Sequence, residues 1–300
     1  MTSSIPPFDG SDPWWCGNLH CHSDRSDGRL PPEDVAARYA EAGYDFLAIT
    51  DHFISAFGFP ITSPQTSAPD SLTLLKGAEL HAPATSHGEW WHLLAVGLPG
   101  GFLPTGEAES GVQLARRAQD AGAFVAIAHP EWSGLSEQDT AAVSFLDAVE
   151  VYNHTSALRT DRGGGWPWLE RLWDAGGRQY PIAVDDAHFQ VNDAFGGWIN
   201  LRAPSREPDS LLSALKAGRF YASQGPQIHD VRRKGERIEV DSSPVEGVFV
   251  LAPGAQSANR LGESITETSI SWTEAPAWMR VVVRDKQGRR AWTGRIDLKS

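Results

Sequence analysis

Only two of the 300 residues are cysteine, Cys16 and Cys21. Two thiols so close in sequence do not make a disulfide framework. Nothing in the chain asks for an oxidising compartment, and a cytoplasmic location is expected. No run of 18 apolar residues occurs, and Met1 to Asp9 has neither a basic stretch nor an apolar core. Neither a membrane span nor a signal peptide is expected. Positive charge is also scarce: 26 Lys and Arg face 38 Asp and Glu, for a formal net charge of −12. Such a surface repels a phosphate backbone, so a nucleic acid polymer is not an expected partner. A small anionic substrate is still allowed, because bound cations invert the local sign. Internal repeats and low-complexity tracts are absent.

What is present, besides twelve Trp, is an alternation of short apolar runs and helical patterns through about residue 225. Pro32 to Ala42 reads as a helix, with Pro32 at its first position, Val35 and Tyr39 one turn apart and Gly43 just past its end. Phe46 to Thr50 reads as a buried strand. Further strands are expected at Leu72–Leu80, His92–Leu98, Phe124–Ala128, Ala148–Tyr152, Tyr180–Val184, Trp198–Arg202 and Arg219–Ala222. Helices are expected at about Ala108–Ala121, Trp168–Ala175 and Pro208–Ala217. Alternating strands and helices with buried strands predict an α/β fold with a parallel sheet, here a barrel. Three longer loops, Ile54–Asp70, Pro99–Gly106 and Thr155–Pro167, are candidates for function. After Pro226 helical periodicity stops. Strand patterns and the turn Asp285-Lys286-Gln287-Gly288 predict a small all-β module. The expected domains are 14–225 and 226–300.

The candidate chemistry sits at the predicted strand ends. His20-Cys21-His22 puts two imidazoles on one face of an extended segment, with Cys21 pointing the other way. Ser26-Asp27-Gly28 can turn Asp27 back toward a neighbouring ion. His52 follows a buried strand in Thr50-Asp51-His52, where Asp51 is suited to orienting a ligand. Glu79 ends Gly77-Ala78-Glu79, and a carboxylate there can bridge two cations. His92 heads an apolar run, His129 ends another before Pro130, and Asp185-Asp186-Ala187-His188 ends a third. Each position alone has an ordinary structural explanation. Six of ten His at or beside strand ends, joined by Glu79 and Asp186, point together to a metal site.

In this order the motifs resemble the PHP (polymerase and histidinol phosphatase) superfamily over roughly Trp15 to Ser223. Gly17 to Asp51, Asp185 to His188 and the appended module with Ala291-Trp292 look most like its carbaryl-hydrolase-like branch. The resemblance implies a distorted (β/α)7 barrel, a small C-terminal β-sandwich-like module and two or three divalent transition metal ions. It assigns the first ion to His20, His22, Glu79 and Asp186. The second goes to Glu79, His92 and His129, and the third to Asp27, His52 and His188. The family often has His where Asp27 stands.

Mixed His and carboxylate donors suit Zn, Mn or Fe. The expected activity is a metal-dependent hydrolase using a hydroxide held between two ions. Its expected substrate is a small phosphomonoester or phosphodiester. Ester or carbamate hydrolysis is the alternative, and a non-catalytic metal-stabilised binding module the third reading. Glu79 and Asp186 are expected to be catalytic through the ions, His154 as general acid or substrate donor, and Arg25 as a phosphate contact. Arg159 and Arg162 lie in the third long loop, which reads either as an ordinary surface loop or as one that closes on a ligand. His81 and His87 do not match the family pattern and are left out. Trp90, Trp91, Trp132, Trp166 and Trp168 are candidates for an apolar wall. The expected partner is a small molecule, with no nucleic acid and no membrane, and a homo-oligomer is compatible.

Overall fold

The described strands, in chain order, are β1 (Thr2–Ser4), β2 (Trp14–Asn18), β3 (Phe46–Ala48), β4 (His52–Phe53), β5 (Thr73–Leu75), β6 (Gly77–Ala82), β7 (Trp91–Val96), β8 (Phe124–Ile127), β9 (Ala148–Asn153), β10 (Tyr180–Val184), β11 (Trp198–Arg202), β12 (Phe220–Ser223), β13 (Ile228–Lys234), β14 (Arg237–Leu251), β15 (Ser257–Ser271), β16 (Arg280–Arg284) and β17 (Arg290–Trp292). The described α-helices are α1 (Pro32–Glu41), α2 (Gly111–Asp120), α3 (Glu137–Ala142), α4 (His154–Thr160), α5 (Trp166–Asp174) and α6 (Pro208–Lys216), and one 3-10 turn spans Ser55–Phe57. The structure is a computed structural model that describes residues 2–62, 68–273 and 276–297. Residues 63–67 of the expected 54–70 loop lie outside it, as do 274–275 and 298–300 of the expected module.

Local chemistry sets the helix ends. Pro32 opens α1, Glu33 and Asp34 favour its positive end, and Gly43 takes a φ of 86° just past it. A capping box of Ser110 and Gln113 starts α2, three residues later than expected. A second box, Ser136 with Asp139, starts the unpredicted helix α3. The expected loop after residue 154 begins instead with α4, capped by Asn153, whose side chain accepts from the Ser156 N–H.

The parallel barrel expected from the alternation needs correction. The strands pair into two sheets of mixed direction. One runs β10-β9-β8-β7-β6-β4, the other β1-β13-β14-β16-β17-β12-β11-β2-β3-β5, with β15 on β14. β2, β3 and β5 pair in parallel, but β7 is antiparallel to both β6 and β8, and β11 to both β2 and β12. The link from β6 to β7 is too short for the crossover that parallel pairing needs. The single strand expected over 72–80 is two strands. β5 pairs with β3 in the larger sheet, and β6 pairs with β4 and β7 in the smaller. The chain changes sheets at Lys76–Gly77. A side chain on Gly77 would meet the Thr50 methyl at 2.8 Å, so only glycine allows this crossing.

The two sheets face each other across one apolar layer that includes Leu19, Phe46, Leu94, Phe124, Ile182 and Ile199, covered by α6. A second layer packs α2 and α5 on the outer face of the smaller sheet. Past residue 226 the described elements are all strands, with their own apolar layer around Val231, Val248 and Val281. The sheet does not break at 225: Ala222 and Ser223 of β12 pair with Trp292 and Ala291 of β17. Among the described residues, no helix is long and apolar enough to cross a membrane.

Candidate metal centre

One backbone bridge and the register of the smaller sheet build the site. Cys21 pairs in parallel with Ala187, with His22 N–H donating to Ala187 O and Asp186 N–H to His20 O. Alternation then turns His20, His22, Asp186 and His188 to one side. Cys21 points to the other, into a layer with Val35 and Tyr39. On the smaller sheet His52 is the register partner of Glu79, and His81 of His92. His129 caps the end of β8. It has a φ of 24°, and Asp186 has a φ of 57°. Two donors in a backbone region that side chains disfavour are strain concentrated at one place.

The donor atoms fall into three sets. His22 Nε2 lies 2.9 Å and His20 Nε2 3.3 Å from Asp186 Oδ1, and both lie 3.6 Å from Glu79 Oε2. The two nitrogens are 3.2 Å apart. A tetrahedral ion with bonds of about 2.1 Å separates its ligand atoms by about 3.4 Å. In the second set Glu79 Oε1 lies 2.7 Å from His92 Nδ1 and 3.2 Å from His129 Nε2. In the third, Asp27 Oδ1 lies 3.4 Å from His52 Nε2, 3.3 Å from His188 Nε2 and 3.9 Å from His22 Nδ1. Glu79 thus gives one oxygen to each of the first two sets.

The residues fit metal ions. Glu79 Oε2 is buried without a hydrogen-bond donor, although His52 Nδ1 stands 2.7 Å away, out of line for a hydrogen bond. A buried acceptor left like this is costly unless a cation answers it. The rings are also held by their outward nitrogens. His20 Nδ1 contacts Glu150 Oε1 at 2.6 Å, His129 Nδ1 contacts Ser133 Oγ at 3.1 Å, and His188 Nδ1 contacts the Asp186 carbonyl at 2.8 Å. Each contact leaves Nε2 facing inward, the arrangement that orients metal-binding histidines.

Charge follows burial and neighbours. Burial would raise the carboxyls of Glu79, Asp186 and Asp27, but the surrounding histidines hold all three well below the usual range. Burial opposes charge on His52, yet Glu79 and Asp27 push it up to about 10. Burial, with His188 and His52 beside it, brings His22 down to about 4.

All nine expected donors converge: His20, His22, Asp27, His52, Glu79, His92, His129, Asp186 and His188 each belong to one of these groups. Asp185 faces away and accepts from Tyr39, Asn18 and the N–H groups of Phe195, Gly196 and Gly197. Asp51 is not a donor. It accepts from Ser23, Ser26 and Thr62, and so fixes the loop that carries Asp27.

Neither His154 nor Arg25, both expected to touch the substrate, lines the cavity over the donors. A cavity of about 320 Å³ opens on the donors and is lined by Trp132, Thr155, Ser156, Arg159 and Thr160. Helical spacing turns residues 155, 156, 159 and 160 of α4 toward it. His154 lies off that face, with Nδ1 2.8 Å from the Tyr152 hydroxyl. Arg25 is exposed in the loop that Asp51 ties down and is not among the lining residues. Arg162 lines an adjoining groove with Trp90, which shares His92 and Trp132 with this cavity.

Two contributors lie outside the expected set: His81, which the family pattern sets aside, and Glu150, which belongs to none of the motifs. His81 Nε2 lies 2.9 Å from His52 Nδ1 and 3.8 Å from Glu79 Oε2. Its position two residues after Glu79, on the same strand face, was the available signal. Glu150 is fully enclosed and also accepts from His129 N–H and Asn153 Nδ2. The signal was a lone acid inside an apolar strand.

No known family's sequence profile matches the chain, and no curated protein matches it. Among solved structures it is similar to a two-domain protein from Bacteroides vulgatus ATCC 8482 containing a predicted PHP-like metal-dependent phosphoesterase. The TM-score is 0.54 at 16% identity, over 94% of this chain and 93% of that one. The chain shares that protein's fold. Residues 226–300 are a quarter of the sequence, so a match of this coverage extends into them. Two further similar structures each cover 59% of this chain and 89% of their own, at a TM-score of 0.42. One is a candidate metal-dependent phosphoesterase from Bifidobacterium adolescentis ATCC 15703 at 18% identity. The other is an amidohydrolase from Chromobacterium violaceum with bound sulfate and no metal, at 15% identity.

Proposed function

We propose that the chain is a metal-dependent hydrolase of the PHP superfamily acting on a small phosphate ester. One observation carries the choice of substrate. The cavity that opens on the donors is also lined by Arg159, a guanidinium with no ion pair or hydrogen bond among the described residues. An unpaired cation beside a cluster of carboxylates and imidazoles suits a substrate that brings its own negative charge.

His20, His22, Glu79 and Asp186 would hold one ion, with Glu79 shared to a second on His92 and His129. Asp27, His52 and His188 would hold a third. Bound divalent ions supply Lewis-acid stabilisation of developing negative charge and lower the pKa of water toward about 7. The protein's own part is placement. Glu150 holds His20, Ser133 holds His129, and the Cys21–Ala187 bridge keeps the two motif strands in register. Arg159 pairs with a phosphate oxygen and orients the ester. The Thr155 hydroxyl, buried without a partner on the cavity wall, is available to the same group. Trp132, edge-on to His92 and His129 and 43% exposed, gives an apolar leaving group a face to lie on.

That tryptophan also favours the second reading, hydrolysis of an aryl carboxyl or carbamate ester. A panel of aryl phosphates, bis-aryl phosphates, aryl esters and N-methyl carbamates separates the two, run with wild type and Arg159→Gln. The expected outcome is turnover of phosphates, with KM raised roughly tenfold or more in Arg159→Gln and neutral esters unaffected. Turnover of carbamates with inert phosphates would reverse the choice.

A further inference from the structure

A second cleft, of about 450 Å³, lies at the seam between β9, α5 and the C-terminal strands. It shares no lining residue with the cavity over the metal centre. One wall is a single face of the sheet, on which Phe249 and Leu251 of β14, Arg284 and Val282 of β16, and Arg290 and Trp292 of β17 alternate with buried neighbours.

Arg284 and Arg290 are direct partners in the antiparallel pair β16–β17. Like charges directly opposite each other destabilise a sheet. Neither guanidinium has an ion pair or hydrogen bond among the described residues, and Arg284 has only the Phe249 ring, 5.2 Å away. The chain carries 12 more acidic than basic side chains, so a carboxylate partner would have been easy to supply. Elsewhere on the same wall charge is answered: Arg280 pairs with Glu170 at 2.7 Å and covers Trp166 at 3.7 Å. The facing side is aromatic. Trp292 stands 6.2 Å from Trp166 and 6.4 Å from Tyr152, and the indole N–H of Trp166 is buried without an acceptor.

Two adjacent unpaired cations at one end of an aromatic cleft answer one kind of ligand. We propose that the cleft binds a small aromatic oxyanion. Its ring lies against Phe249 and Trp292, and its carboxylate or phosphate lies between Arg284 and Arg290. The anion removes the repulsion between the two guanidinium groups, and cation and ring each find a partner of matching chemistry.

The probe is 2-naphthoate, titrated into metal-loaded protein by calorimetry and by tryptophan fluorescence. Naphthalene-2-carboxamide serves as the uncharged control. The expected result is one equivalent of 2-naphthoate per chain. Binding should be roughly tenfold weaker or worse for the carboxamide and for Arg284→Gln/Arg290→Gln, and recovered in Arg284→Lys/Arg290→Lys. Binding should be unchanged in Glu79→Ala, which disables the metal centre and leaves every lining residue of the cleft in place. The double Gln variant should hydrolyse aryl phosphates like wild type. It should also melt no lower than wild type, since a like-charge pair has been removed. If it fails to fold, Arg290→Gln alone, at an exposed position, must weaken binding in the same direction. Absence of binding up to the millimolar range, equal binding of the carboxamide, equal binding by the Gln variants, or loss of binding in Glu79→Ala would each overturn the proposal.

Discussion

The donors around Glu79 and those around Asp27 differ in how firmly the protein holds them. His20, His22 and Glu79 have no exposed surface, and Asp186 is 7% exposed. Each is fixed by a neighbour or by strand register. The Asp27 side chain is 43% exposed and sits in a loop whose shape depends on hydrogen bonds to Asp51. Enclosed donors on paired strands are organised before an ion arrives, whereas a rim donor must be ordered by it. The inner sets should therefore bind ions tightly and the outer set weakly. Asp27, the position at which the sequence departs from the motif it resembles, falls on the corner the fold holds least.

The largest effect should come from Glu79→Ala, which removes the oxygen shared by two sets. Metal content should fall together with activity, the latter by roughly 10³-fold or more, while circular dichroism stays that of the folded chain. Retained metal in that variant would mean that the inner donors are not organised around Glu79. Glu150→Gln tests whether burial and outward hydrogen bonds make the inner sets strong. It keeps the shape but weakens the hold on His20, and the affinity for metal should drop about 10–100-fold. An unchanged affinity would make Glu150 a packing residue. Asp27→Asn should be milder, releasing the third ion and leaving the other two in place, as metal analysis after dialysis would show. Loss of all ions would erase the distinction between inner and outer donors. The smallest effect is with pH. His20, His52, His129 and His188 are raised above the ordinary histidine range against the pull of burial, by Asp186 and Glu150, by Glu79, by Glu79 and by Asp27 in turn. A bound proton must leave before a nitrogen can ligate, so loading should weaken steadily as pH falls. A titration with metal that is flat with pH would show that those rings are not donors.

How much of this could be read before the structure depends on range. Donors at strand ends were legible because alternation and strand length are local: His20 and His22, or Asp186 and His188, declare their shared face by spacing alone. The α1 boundaries and the turn closing on Gly288 were legible for the same reason, through Pro32, Gly43 and the hydrogen bond from Gly288 N–H to Asp285 O. Pairing was not legible. That β7 runs antiparallel, or that the run from residue 72 to 80 divides between two sheets, depends on contacts distant in sequence. Glu150 shows the same limit, since a lone acid in an apolar strand has no visible purpose until His20 and His129 arrive beside it. The α4 helix was hidden because Gly163, Gly164 and Gly165 just after it coloured the whole stretch as loop. With it went the facing of Arg159 into the cavity and of His154 away from it.

The central claim is that these nine side chains are one metal centre with two firm sites and a weaker third. Its most direct test is metal analysis of purified protein, before and after exhaustive dialysis, with hydrolytic activity followed in the same samples. The account predicts up to three equivalents of divalent transition metal before dialysis, about two afterwards, and activity that tracks the retained pair. Protein that is active without stoichiometric metal would contradict it.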